Sequence, residues 1–455
     1  MGELDVGHGV IIAARRRASL LRGRTRWLRR STVWYPRAVT IEYGPLAPDT
    51  ADALRDLEAV SFHFSYQDEE WARETHALEV DRSEVARDGG QLVGHTSAYS
   101  LQMAVPGAEA TPVAGVTWVS VALTHRRRGV MRELMRRQLA ALHEQQREPV
   151  AALWASEAAI YGRFGYGLAS RKASVAVPRQ HGALRELRTA GGADAESFAL
   201  VAGTLDDEVR ADCLATYERV WEQRPGMLGR DTGLVAALTA DLPRDRRGAS
   251  PLHCLRVRDA GGATRAYAWY RTKQSWEPPL GPSGRTHVVE VVAESPGAHR
   301  FLLATLVDLD LMGTASFDNL PVDDPLLVLL HDPRRSPAQV TDQLHVRLVD
   351  LPRALALRTY AAEVDLVLGV EDATCPWNAG RWRLSVGPSG AVCERSTDAA
   401  DVALDVRELG AAFLGDRTLS PAQRAGLVDE HRPGAVAALS RATTWDVAPW
   451  CDRVF

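Results

Sequence analysis

The chain has 455 residues, with 54 Lys and Arg against 58 Asp and Glu and a formal net charge of −4, so no global attraction to nucleic acid is expected. Its length sets an expectation of about three domains, and 45% apolar content is ample for their cores. The cysteines (Cys213, Cys254, Cys375, Cys393, Cys451) are odd in number, scattered and without a CxxC pair, and no apolar run of about 18 residues occurs, which argues against a disulfide scaffold, a metal site and a membrane span and for a reduced, cytoplasmic protein.

Residues 1–38 stand apart, with Arg15, Arg16, Arg17, Arg22, Arg24, Arg26, Arg29 and Arg30 set against Glu3 and Asp5. Composition predicts a disordered extension, with a nucleic-acid arm as the sharper alternative; no apolar stretch follows to make a secretory signal. From Val39 the pattern becomes regular. VTIEYGPL predicts a strand, Asp49 caps a helix to about Val60, and Glu84–Ala86 with Gln91–Tyr99 predict a hairpin around Asp88-Gly89-Gly90. Phe62, Phe64, Tyr66, Asp68, Glu69, Glu70 and Trp71 read as a loop, first as a hydrophobic staple with a solvated acid run and second as a wall around a cationic acceptor.

Next come a strand over Val116–Leu123, a turn at Arg126-Arg127-Arg128-Gly129, and a helix from Val130 whose Val130, Leu134, Leu139 and Leu142 share a face. A strand over Val150–Trp154 follows, then Ser156 and Glu157, which read as a helix cap and a first-turn acid. Residues 185–343 predict further mixed α/β structure, with helices near Ala211–Gln223 and Ala298–Asp308, strands near Leu252–Val257, Arg265–Arg271 and Arg285–Val292, and a loop at Leu280–Gly284. His331 and His345 read as lone surface residues rather than metal ligands. From about His345, VRLVDLPRAL predicts a helix, VDLVLGVED and GRWRLSVG strands, and the last stretches two closing helices.

The Arg-Gly turn carries chemistry because a helix N-terminus offers free N–H groups and the positive end of a dipole, which suit a pyrophosphate, and glycine allows close approach. Neither GxxxxGK[ST] nor GxGxxG fits the turn. With VSVALTHRRRGVM followed by ASEAAIYGRFGYG, the chain resembles the Eis (enhanced intracellular survival) family of GNAT N-acetyltransferases. Arg126 and Gly129 match the general [RQ]xxGx[GA] turn, while Met131 departs from its last small residue, as is ordinary in the Eis-like branch.

The resemblance implies an α/β (α+β) fold of tandem GNAT-like domains, mixed sheets flanked by helices, followed by a sterol carrier protein type domain. The expected spans are 39–184 for the catalytic GNAT domain, 185–343 for a degenerate one and 344–455 for the C-terminal domain. It implies acetyl-CoA as co-substrate, bound at Ser120, Val121 and Ala122, at Arg128, Gly129, Val130, Met131, Arg132 and Glu133, and at Ser156 and Glu157. Tyr161 is implied as proton donor, with Tyr166 as packing, and the terminal carboxylate of Phe455 as proton acceptor. An α-carboxyl of pKa about 3.5 is a weak base for an amine of pKa about 10, so desolvation or a relaying water is expected to help. Phe62 and Trp71 are candidate pocket residues.

Acceptors implied by the resemblance are primary amines of polycationic small molecules, polyamine or aminoglycoside-like, at several positions of one molecule. A homohexamer is implied too. Alternatives are a protein-lysine acetyltransferase tethered to nucleic acid through residues 1–38, and a non-catalytic CoA- or lipid-binding protein.

Overall fold

The computed structural model describes residues 40–47, 50–107, 110–187, 197–279 and 281–455. The Arg-rich segment 1–38, the helix cap expected at Asp49, and Leu280 lie outside the described residues. The first region runs β1 (Ile41–Pro45), α1 (Ala51–Phe62), α2 (Asp68–His76), β2 (Glu84–Asp88), β3 (Gln91–Met103), β4 (Thr111–Val121), α3 (Val130–Gln145), β5 (Val150–Trp154), α4 (Ala158–Tyr161) and β6 (Gly167–Leu168). Two expectations change here. The strand expected over Val116–Leu123 begins earlier, at Thr111, and stops at Val121. The expected loop around Trp71 contains α2, whose first turn is closed by Glu70 accepting from the Gln67 N–H at 2.9 Å, and Glu70 and Trp71 are buried rather than solvated.

The second region contains β7 (Arg171–Pro178), β8 (Ala199–Thr204), α5 (Asp207–Glu218), α6 (Thr232–Leu238), α7 (Pro243–Arg246), β9 (His253–Arg258), β10 (Thr264–Lys273), β11 (Trp276–Glu277), β12 (Gly281–Pro282), β13 (Gly284–Ala293), α8 (Pro296–Val307), β14 (Met312–Pro321), α9 (Pro325–Leu329), β15 (Gln339–Asp342) and β16 (Leu344–Leu348). The third contains α10 (Leu351–Leu357), β17 (Val364–Glu371), β18 (Gly380–Gly387), β19 (Gly390–Arg395), β20 (Val402–Asp405), α11 (Val406–Ala412), α12 (Ser420–Arg424), β21 (Val428–Glu430) and α13 (Ala435–Thr443).

Three main sheets result, in the orders β1-β2-β3-β4-β5-β16-β6, β15-β7-β14-β13-β10-β9-β8 and β19-β18-β17-β20-β21. The first sheet takes a strand from the second region. β16, the last strand of the second region, enters the first sheet antiparallel to β5, pairing Leu344 with Trp154 through to Leu348 with Val150. β7, the first strand of that region, sits between β14 and β15 in the second sheet. VRLV is therefore strand rather than helix, and His345 is buried rather than on the surface. Every residue of β16 is buried, so the segment lacks the alternation that separates a strand from a buried helix in sequence.

Helix α3 covers one face of the first sheet, with Val130 and Leu134 against Ala86 and Val93, and Met135, Leu139 and Leu142 against Ala98, Ala114 and Ala151. Leu54 and Leu57 of α1 and Trp71 of α2 cover the other face at Val85 and Leu92. That second face, at Met103, Val113, Val150, Ala152 and Val346, shares one core with Leu366, Leu368, Leu409 and Leu439 of the third region. Glycine makes the docking close. A Cβ on Gly410 would lie 2.5 Å from the Val346 carbonyl oxygen, so α11 packs backbone against backbone on β16.

Candidate active site

The site begins where a sheet comes apart. β4 and β5 run parallel and pair only at Val113–Val150, Ala114–Ala151 and Gly115–Ala152. Beyond that β4 continues to Val121 beside β3 alone, so its other edge carries backbone N–H and C=O groups without a strand partner. The β3–β4 register shifts between His95 and Ser97, and Trp118 takes a φ of 55° there. Such a conformation costs a bulky residue roughly 1–3 kcal/mol. It is held by the Trp118 Nε1–H donating to the Tyr99 hydroxyl at 2.8 Å and by an edge contact with the Trp71 ring. Ser120 and Val121 end the strand and Ala122 follows it; the Ser120 hydroxyl is engaged, donating to buried Glu58 at 2.5 Å, which leaves its backbone for a ligand.

The strand feeds a helix start that is open. Gly129 is the N-cap of α3 with φ 85° and no side-chain cap, and the first helical bond runs from the Glu133 N–H to the Gly129 carbonyl at 3.1 Å. Preceding N–H groups of Val130, Met131 and Arg132 have no partner within the helix. Arg126, Arg127 and Arg128 are exposed around them. Glu133 would repel an anion there, but Arg136 at 2.6 Å and Arg137 at 2.9 Å occupy its carboxylate, and the Arg136 hydrogen bond leads in holding it below the usual range. Ser156 and Glu157 are exposed beyond β5, and neither side chain caps α4.

Tyr161 and Phe455 approach this gap from opposite faces. Tyr161 is buried on the α3 side, among Ala114, Val116, Ala151 and Leu153, with the Tyr166 ring at 6.0 Å. Burial, then Glu157, pushes its phenol up to about 12. The hydroxyl therefore keeps its proton through neutral pH, and Tyr166, fully buried, is pushed higher still. Phe455 packs on the other core, with Leu101 and Trp154. A Cβ on Gly115 would stand 3.1 Å from the Phe455 ring and 2.4 Å from Leu101, so only glycine leaves that space.

What fixes the chain end is a buried ion cluster with no signal in the sequence. Arg230 donates both terminal nitrogens to Glu290, at 3.0 and 2.6 Å, and reaches Asp452 at 2.6 Å. Arg453 donates to Asp452 at 2.8 Å and to the carbonyls of Leu228 and Gly229, and Asn319 Nδ2 donates to those of Cys451 and Asp452. Burial raises the Asp452 carboxyl, but Arg453 and Arg230 outweigh it and hold it at about 2. Also unsignalled is His95, wholly buried with both ring nitrogens unpaired, its Nδ1 3.7 Å from Glu58.

A row of rings leads outward from the bulge, Trp118 to Trp71 to Tyr66 to Phe64 to Phe62, at centroid separations of 5.2–6.0 Å. Phe64 and Tyr66 line a cavity of about 890 Å³ together with Arg244, Lys273, His287 and Asp318. The candidate pocket residues Phe62 and Trp71 each stand one ring behind that wall.

Residues 42–169 and 226–348 each match an acetyltransferase (GNAT) domain, and residues 351–452 match a sterol carrier protein domain. An uncharacterized N-acetyltransferase of Streptomyces avermitilis is 43% identical over 83% of this chain and 90% of that protein. The N-acetyltransferase Eis of Mycobacterium bovis is 34% identical over 81% of this chain and 84% of its own. The chain belongs to the Eis family of GNAT N-acetyltransferases. Eis1 from Mycobacterium abscessus, 29% identical, superposes with a TM-score of 0.75 over 91% of this chain and all of its own. A GCN5-related N-acetyltransferase from Anabaena variabilis, at 18% identity and a TM-score of 0.76, shares the fold.

As a GNAT enzyme of the Eis family, the protein draws its acetyl group from acetyl-CoA, and the residues present fit that molecule. Open helical N–H groups and space around Gly129, with nothing within 4 Å of an added Cβ, suit a pyrophosphate; the unpaired β4 edge suits the pantetheine amides. Among the described residues no helix is long and apolar enough to cross a membrane.

Proposed function

We propose that this enzyme transfers acetyl directly from acetyl-CoA to a primary amine, with Phe455 as base and Tyr161 as acid. The Phe455 α-carboxylate takes a proton from the amine as its nitrogen attacks the thioester carbonyl, and the open edge of β4 at Ser120 and Val121, with Ala122 just beyond it, holds the thioester. As the C–S bond breaks, Tyr161 gives its proton to the CoA sulfur, leaving an amide and a thiol. The observation that carries this reading is that Tyr161 and Phe455 flank the same β4–β5 gap from its two faces. Arg128, Gly129, Val130, Met131, Arg132 and Glu133 take the pyrophosphate turn, Ser156 and Glu157 flank the pantetheine, and Phe62 and Trp71 back the acceptor wall. A phenol raised to about 12 is a reluctant donor, so the nascent thiolate must draw the proton as it forms. Assembly as a homohexamer and a cytoplasmic location are part of the proposal. The resemblance implies polycationic, aminoglycoside-like acceptors, which serve as the reference class for the tests.

The deciding experiment follows amine-dependent thiol release from acetyl-CoA. Tyr161→Phe is expected to lower kcat by about 10²–10⁴-fold with little change in acetyl-CoA affinity, and residues appended after Phe455 to lower it comparably. Full kcat in either variant removes that residue's role. Acetyl-CoA binding without amine-dependent release would make the chain a CoA-binding module.

A further inference from the structure

The cavity beside the aromatic row has a charge pattern that bears on the acceptor. Its floor comes from the second region, Arg244, Asp245, Arg246, Arg247, Arg271, Lys273, His287 and Asp318, and its opposite wall from Phe64, Ser65, Tyr66 and Glu74. A second cavity of about 370 Å³ shares Lys273 and His287 and adds Gln274, Ser275, Ser283 and Arg285, with no acidic residue. Most of the charges are already answered. Arg244 pairs with Glu70 at 2.7 Å, Arg246 and Arg271 pair with Asp241, and Arg73 faces both Glu74 and Asp245.

Three cations are left over. Arg247, Lys273 and Arg285 have no carboxylate within 4.0 Å among the described residues, and Asp318 is the single lining acid without a cationic partner. Beside them the Ser283 hydroxyl is buried without a hydrogen-bond partner. His287, hydrogen-bonded to Ser316 at 3.1 Å, is held toward its neutral form by burial, which Asp318 opposes and Arg285 and Lys273 reinforce. A polycation entering here meets a surplus of like charge, and an anion meets guanidinium, ammonium and hydroxyl donors.

The cavity's walls belong to elements that also bear on the point of transfer. Tyr66 continues through Trp71 to Trp118 at the β4 bulge. On the other side, Asp318 adjoins Asn319, which holds the carbonyls of Cys451 and Asp452 near the chain end. The volume suits a small molecule.

We infer that the preferred acceptor is an amine that also carries an anionic group, carboxylate or phosphate, seated between Arg247, Lys273 and Arg285 while its amine reaches the β4–β5 gap. This inference rests on the acetyl-transfer reading above. It replaces the polycationic class with an amphoteric one.

The test measures kcat/KM for matched amines with and without an acid: ε-aminocaproate against hexylamine, and O-phosphotyramine against tyramine, with kanamycin as the polycation. An acidic member at least tenfold better than its partner, with the ratio falling toward one in Lys273→Gln/Arg285→Gln, supports the inference. The carboxylate and phosphate pairs separate the two anion classes. Neutral amines or kanamycin outrunning both acids, or an unchanged ratio in the variant, overturns it. Calorimetry with O-phosphotyramine separates the two readings: if no amine is acetylated, binding lost in the double variant retains the anion site while the acetyl-transfer reading fails, and binding indifferent to the variant removes the site.

Discussion

The two GNAT regions contain the same unit, a parallel strand pair joined by a helix, and use it in opposite ways. In the first, β4–α3–β5, the ladder ends after Gly115–Ala152 and the helix opens on uncapped Gly129. In the second, β13–α8–β14, the ladder ends after Val288–Phe317. There the helix start is closed: the Ser295 hydroxyl accepts from the Ala298 N–H at 3.2 Å, and Pro296 has no N–H to offer. The strands flanking the second gap hold the chain's own tail, Glu290 through Arg230 to Asp452 and Asn319 directly. A duplicated fold thus yields one cradle for a cofactor and one socket for the chain end.

The comparison breaks most severely at Arg230. Arg230→Met leaves Glu290 buried without its cation and Asp452 with Arg453 alone, and the expected loss is about 3–5 kcal/mol in denaturant unfolding, accompanied by a fall in kcat beyond what the remaining folded fraction explains. Unchanged stability would show that the socket does not rest on this cluster. Acid provides a gentler probe. Asp452 titrates near 2 in the folded chain against about 3.9 unfolded, so its contribution is present above about pH 4 and lost as pH falls through about 2. About 2–3 kcal/mol of stability should disappear over that window in the native chain and not in Asp452→Asn, as measured by unfolding at a series of pH values. The helix starts give the smallest effects and the sharpest contrast. Gly129→Ala is expected to weaken acetyl-CoA binding by roughly tenfold through backbone strain at φ 85°, and Ser295→Ala to cost about 1 kcal/mol of stability without touching acetyl-CoA affinity. Equal effects on binding would erase the distinction between the two regions.

The cradle was legible in the sequence because its parts are contiguous: strand, Arg-Gly turn, amphipathic helix, strand and Tyr161 occupy one short stretch. The family resemblance rests on the same residues. The socket was not legible, since Arg230, Glu290 and Asp452 are far apart in the chain and each reads alone as an ordinary surface charge. Strand membership failed in the same way. β16 is buried on both faces, Arg347 included through its pair with Asp372, and local periodicity cannot tell such a strand from a helix. Glu58 was similarly hidden, an acid in an amphipathic helix that turns inward only because Ser120 and His95 meet it across the sheet.

The entry of β16 into the first sheet has a consequence for how the chain is made. During synthesis the first sheet lacks its sixth member until residues about 190 positions beyond β5 emerge. Until then the Val150–Trp154 edge presents unpaired apolar strand, the kind of surface that recruits other nascent chains. The first GNAT region cannot complete its sheet before β16 is made, so a fragment ending anywhere between β6 and β16 should collect in aggregates rather than fold, and assembly of the catalytic half waits on later sequence.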